Sequence, residues 1–183
     1  MEIIKAVPNQ KIIKNLLIIF LSSLLITISA KIKIPFYPVP MTMQTFVVML
    51  VGITFGWKIG VATISLYLFE GIIGLPVFAG TPEKGIGLTY FVGPTMGYLV
   101  GFIFATFIAG YLNYNTNILF IFLKLIFSVS IIYILGVSWL GNLIGWDKPV
   151  LELGLKPFLY AELFKILLLT ILTKRLITFR KFI

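Results

Sequence analysis

The stretch Lys156-Pro157-Phe158-Leu159-Tyr160-Ala161-Glu162-Leu163-Phe164-Lys165 decides how the chain is read. It runs directly into Ile166 to Leu172, which is apolar apart from Thr170. An acid and a base therefore sit inside a segment otherwise built like a membrane span. Charge at membrane depth is costly and normally faces a protein interior or a cavity. Glu162 and Lys165 are three residues apart, so they share one helix face. The rest of the chain has to supply what that face looks at.

Composition sets the class. The chain has 183 residues, 60% hydrophobic and 11% charged, with a mean hydropathy of +1.09. Soluble globular chains are nearer to about a quarter charged. The expectation is an all-α integral membrane protein, a single membrane-embedded domain over 1–183, because no polar stretch between spans is long enough to bury a core of its own. Cys and His are both absent, which excludes disulfides, thiolate sites and His-based acid–base or metal-ligand chemistry. No G-x-x-x-x-G-K-[ST] loop occurs. No catalytic residue, metal site or cofactor is expected. The net charge of +9 does not point to nucleic acid. Many basic residues lie at the ends: Lys5, Lys11, Lys14, Lys174, Arg175, Arg180 and Lys181. That pattern predicts two cytoplasmic termini and an even number of spans. The N-terminus lacks an A-x-A cleavage site, so the first apolar run reads as a retained span.

Six spans fit the lipid bilayer: 12–30, 43–55, 58–73, 94–112, 118–135 and 157–172. Gly56-Trp57-Lys58 makes a tight turn between the second and third. Two outer segments interrupt the bundle. Lys31 to Thr42 carries Pro35, Pro38 and Pro40, which cannot form a regular helix. Gly74 to Gly93 is rich in Gly and Pro. Both hold too many apolar residues for free loops, which predicts packed structures against the bundle. Gly97, Gly101, Ala105 and Ala109 recur every four residues as a close-packing stripe. Gly136 to Trp146 continues apolar, with Trp139 and Trp146 at the outer interface.

The expected geometry is an outward pocket capped by the two loops and floored by the sixth span. Glu162 can only accept hydrogen bonds when ionised, and Lys165 can only donate. Gln44 stands at the mouth. Glu70, near the outer end of the third span, is either a site residue or solvated at headgroup level. A small ligand with a polar head, an apolar body and an acid group suits such a pocket. The plain alternative is that Glu162 and Lys165 pair with each other and merely hold the bundle. Catalysis is disfavoured, since one buried carboxylate without His or Cys is a thin active site.

Ile34-Pro35-Phe36-Tyr37-Pro38-Val39-Pro40-Met41-Thr42-Met43-Gln44-Thr45 resembles the I-P-x-x-P-V-P-x-T-x-Q-T element of the BioY family. Gly71 to Gly80 (G-I-I-G-L-P-V-F-A-G) and Gly93 to Phe102 (G-P-T-M-G-Y-L-V-G-F) are similar to its second and third elements, in the same order. The resemblance implies a compact bundle of six transmembrane helices that binds biotin from outside, as the S component of an energy-coupling-factor (ECF) vitamin transporter. It also implies a transmembrane coupling protein and two ATPase subunits as partners. Against the family's final-helix pattern P-x-x-P-G-D-x-x-K, Pro157, Glu162 and Lys165 keep the first proline, the acid and the lysine. Tyr160 and Ala161 replace proline-glycine, and Glu162 replaces aspartate, shifting the acid's reach by about 1–1.5 Å. The substrate-binding residues so implied are Glu162, accepting from the ureido N–H groups, and Lys165, donating to the ureido oxygen or pairing with Glu162. Lys84 stands in for an arginine of the second loop and meets the ligand carboxylate. Gln44 and Tyr90 line the mouth, with Tyr160 and Glu70 nearby. The expected setting is the cytoplasmic (inner) membrane of a bacterium. A carrier for another vitamin, and a structural subunit with no ligand site, remain the alternatives. The chain could act alone, as a homo-oligomer or with the ATPases.

Overall fold

The structure, a computed structural model, describes residues 7–34, 37, 39 and 41–182. Pro35, Pro38 and Pro40, on which the rigid first loop was expected, lie outside the described residues. Among the described residues seven α-helices follow in order: α1 (Val7–Lys31), α2 (Gln44–Ile72), α3 (Gly87–Phe91), α4 (Met96–Tyr111), α5 (Ile118–Ile144), α6 (Val150–Gly154) and α7 (Leu159–Leu176). Short 3-10 turns at Lys156–Phe158 and Ile177–Phe182 flank α7. The sole strands described, β1 (Lys33–Ile34) and β2 (Met41–Thr42), form one antiparallel pair that ties the end of α1 to the start of α2.

Among the described residues, three helices are long and apolar enough to cross a membrane: Gln10–Lys31, Gln44–Ile72 and Ile118–Ile144. Helix α4 is apolar but shorter. Helix α7 carries Glu162, Lys165, Lys174 and Arg175 and is set apart by that charge.

Helix α2 is continuous in sequence but not in direction. Gly56 has φ +74° and ψ 171°, a conformation that favours glycine. The chain reverses there. A Cβ on Gly60 would lie 3.2 Å from the Gly52 Cα, and Gln44 Nε2 reaches the Tyr67 hydroxyl at 2.7 Å. In a straight helix those last two residues would be about 35 Å apart. The limbs 44–55 and 57–72 are therefore an antiparallel hairpin, as the Gly56-Trp57-Lys58 turn predicts.

Helix α4 packs between α2 and α5. Its small-residue stripe makes both contacts possible. Gly97 abuts the Leu135 carbonyl and Trp139, Gly101 abuts the Ile132 backbone, and Ala105 and Ala109 are fully buried. Glycine on the opposite helix does the same job, since Gly136 lies against the Tyr98 ring. Here the sequence expectation needs correction. The fifth helix does not stop at Leu135 but runs to Ile144, because Gly136 is a packing residue rather than a terminator. Asn117 caps its start, accepting from the Phe120 N–H at 3.0 Å.

Helix α1 packs chiefly on α2 and leaves Ile12, Leu16, Phe20, Leu24 and Ile28 exposed. At the far end from the pocket, Arg180 Nε donates to the Ile53 carbonyl at 2.8 Å. A cation there satisfies the carbonyls that end the first limb of α2.

Candidate functional site

The pocket is assembled from almost every element of the bundle. Thr42 comes from β2, Gln44 and Thr45 from the first turn of α2, Phe78 and Ala79 from the loop after α2, and Tyr90 from α3. Tyr98, Leu99 and Phe102 are on α4, Ile132 and Tyr133 on α5, and Glu162 and Lys165 on α7. Six aromatic rings, of Phe78, Tyr90, Tyr98, Phe102, Tyr133 and Phe158, form a large part of the wall. Phe78 stacks on Tyr90 with centroids 5.3 Å apart, and Tyr133 meets Tyr98 edge-on at 6.0 Å. The cavity is tight, at about 50 Å³. That is room for a few waters, at roughly 10–15 Å³ each, so a bulkier ligand enters only if a wall yields.

Helix α7 begins at Leu159, two residues later than expected, which puts Glu162 in its first turn. There the helix dipole and unpaired N–H groups favour an anion. Glu162 and Lys165 are each 5% exposed and pair at 3.0 Å. Lys165 Nζ also donates to the Thr42 carbonyl (2.9 Å) and to Thr45 Oγ1 (2.6 Å). An ammonium has three N–H groups, so all three of its donors are committed. Lys165 therefore holds the acid and the start of α2, and has no spare donor in this arrangement.

The two oxygens of Glu162 have different surroundings. Oε2 accepts from Thr45 Oγ1 (3.0 Å), Tyr133 OH (2.8 Å) and Lys165 Nζ (3.0 Å). Oε1 accepts from no protein group among the described residues. One oxygen is anchored by three helices, and the other is an acceptor without a protein donor on a carboxylate that lines the pocket. Such an arrangement can bind an N–H of a ligand by a charge-assisted hydrogen bond.

Gln44 lines the pocket but its amide is mostly engaged. Oε1 accepts from Thr42 Oγ1 at 3.2 Å and Nε2 donates to Tyr67 OH. Tyr90 lines it too, and its hydroxyl accepts from the Gly80 N–H at 3.0 Å. Lys84 lies one layer out, in a separate crevice with Tyr37, Thr89, Tyr90 and Thr95. Its Nζ is 5.9 Å from the Tyr37 ring centroid. Besides Lys84, two further expected residues are not brought to the pocket. Glu70 is half-buried against α1 and accepts from Ser23 Oγ at 2.5 Å. Tyr160 is 87% exposed, since two residues of helix, about 200°, turn it away from Glu162. Thr45 and Tyr133 are the residues that sequence reasoning missed. A phenol within the apolar run Ile131 to Leu135 was the available signal, because a buried hydroxyl seeks a partner.

These features define a multi-pass helical membrane protein that encloses a pocket with an anchored acid–base pair in its wall. A model of the BioY family matches residues 4–181, and the chain belongs to that family. A probable biotin transporter BioY of Pyrococcus horikoshii is 34% identical over 163 residues, covering 89% of this chain and 96% of its own. The biotin transporter BioY of Thermotoga maritima is 37% identical over 153 residues, covering 83% and 89%. The crystal structure of an S component for biotin from an ECF-type ABC transporter superposes with a TM-score of 0.75, at 27% identity and 92% coverage of both chains.

Proposed function

We propose that this protein takes up biotin across the cytoplasmic membrane as the biotin-binding S component of an ECF-type transporter. The reading is carried by Glu162, whose Oε2 is saturated by three protein donors while Oε1 has none among the described residues. A ureido ring supplies N–H donors for such an oxygen, and the aromatic wall suits the apolar body of the bicycle. Lys165 orients Glu162 rather than meeting the ligand. Gln44 and Tyr90 line the route in, and Lys84 in the outer crevice meets the ligand carboxylate before or after closure. Glu70 and Tyr160 have no part in the site.

The helices amount to six transmembrane segments: α1, the two limbs of α2, α4, α5 and α7. Both termini face the cytoplasm, where a transmembrane coupling protein and two ATPase subunits supply the energy. The chain itself is not an enzyme. Family membership and the likeness to an ECF-type S component support the partners and the transport role, and the basic residues toward both ends support the cytoplasmic termini.

Purified protein should bind labelled biotin, and biotin should outcompete thiamine and riboflavin. Glu162→Ala should weaken binding at least tenfold, and Tyr160→Ala should leave it unchanged. Unaltered affinity in Glu162→Ala would rule out this site.

A further inference from the structure

We infer that Lys31 and Lys33 form a latch on the loop wall of the pocket and set how fast the site opens. Lys31, the last residue of α1, donates from Nζ to the carbonyls of Phe78 and Thr81, both at 2.9 Å, and to Thr81 Oγ1 at 3.3 Å. Lys33, on β1, donates to the Ala79 carbonyl at 2.9 Å and pairs with Glu83 at 3.3 Å. The carbonyls of Ala79 and Thr81 find their hydrogen bonds in these ammonium groups rather than in the backbone. Buried or half-buried carbonyls need such partners.

The same residues carry the pocket on their other side. Phe78 and Ala79 line it, and the Gly80 N–H holds the Tyr90 hydroxyl. Most of the remaining lining sits on α2, α4, α5 and α7, whose backbones are held by their own helical bonds. A cavity of about 50 Å³ has to widen for any ligand larger than a few waters, and the 77–81 wall is a part that can move without breaking a helix. Its tethers to the rest of the bundle include these two lysines, which start 46 to 50 residues earlier in the chain. Both lysines are exposed, so replacing them leaves the core packing intact. They are positioning residues, acting on the site through Phe78, Ala79 and Tyr90.

The chain has no cysteine, so Ala79→Cys is a unique reporter for the wall. In full-length protein in lipid nanodiscs, its labelling by a membrane-impermeant maleimide should quicken at least about tenfold in the Lys31→Met/Lys33→Met background, as expected for loss of hydrogen bonds from a charged donor. Lys31→Arg/Lys33→Arg should restore the slow rate, and Lys33→Met alone should be intermediate. A second arm, resting on the biotin reading, follows release of labelled biotin into excess unlabelled biotin. Release should quicken by a similar factor. Faster labelling in a protein that fails to bind biotin would support the latch and sink the biotin reading alone. Equal labelling rates in all backgrounds would overturn the latch whatever the ligand.

Discussion

Replacing Glu162 by glutamine separates the two jobs of one carboxylate. The amide oxygen can occupy the Oε2 position and keep accepting from Thr45, Tyr133 and Lys165. The amide NH₂ then stands where Oε1 was. A ligand N–H aimed there loses a charged acceptor, worth about 1.5–3 kcal/mol, and is left facing a donor, which adds about 1–3 kcal/mol. The sum, about 2.5–6 kcal/mol, corresponds to a loss of affinity between roughly sixtyfold and twenty-thousandfold. Lys165 also loses its counter-charge, so the unliganded protein should melt at a lower temperature, because an unpaired buried charge is destabilising. Glu162→Asp keeps the charge and should stay within about tenfold of the parent, since a buried carboxylate shortened by one methylene retains its acceptors. The assay is calorimetric titration of biotin into protein in nanodiscs, beside thermal unfolding of the same samples. If Glu162→Gln lowers the melting temperature but binds biotin within threefold of the parent, the pair only holds the bundle and the Oε1 reasoning is refuted.

Other changes probe the surroundings. Tyr133→Phe removes one of the three donors on Oε2 and should weaken biotin binding about tenfold, the effect of one hydrogen bond to a charged acceptor; an unchanged titration would exclude Tyr133 from the site. Gly56→Ala forces a side chain onto φ +74° and ψ 171° and should cost about 1–3 kcal/mol, read as a lower midpoint with affinity retained by the folded fraction. The Glu83 carboxyl is held below its ordinary range by the hydrogen bond from Lys33. Its contact is therefore intact at neutral pH and is lost as pH falls through that lowered value. Biotin release should be flat from neutrality to about pH 5 and quicken in stronger acid, and Glu83→Gln should remove that acid limb.

The bundle was legible in the sequence where one physical rule dominated. Hydropathy marked the helical membrane class, Gly56 marked the reversal, and the four-residue stripe on α4 marked the tight packing. Glu162 and Lys165 stood out because charge is costly in a span. Partner identity was not legible, because it is a tertiary property. Nothing local says that Thr45 bridges Lys165 and Glu162, or that Tyr133 reaches Glu162 from 29 residues away. Glu70 carries the same type of charge as Glu162 at a similar distance from a span end, yet it faces Ser23 on α1. The fifth span was placed at 118–135 although the sequence stays apolar beyond Gly136, and the Tyr98 ring packed on Gly136 shows that glycine serving close packing inside the helix.

The pocket joins distant parts of the chain. Thr45 meets Glu162 across 117 positions, and the Thr42 carbonyl meets Lys165 across 123. During synthesis, no acid–base wall exists until α7, the last α-helix described, has left the ribosome. That helix is also the one whose charges most oppose insertion by itself. Helices earlier in the chain offer Thr42, Thr45 and Tyr133 as partners for those charges. A nascent chain short of α7 lacks both Glu162 and Lys165, so the pocket is completed only when the last described α-helix joins the bundle.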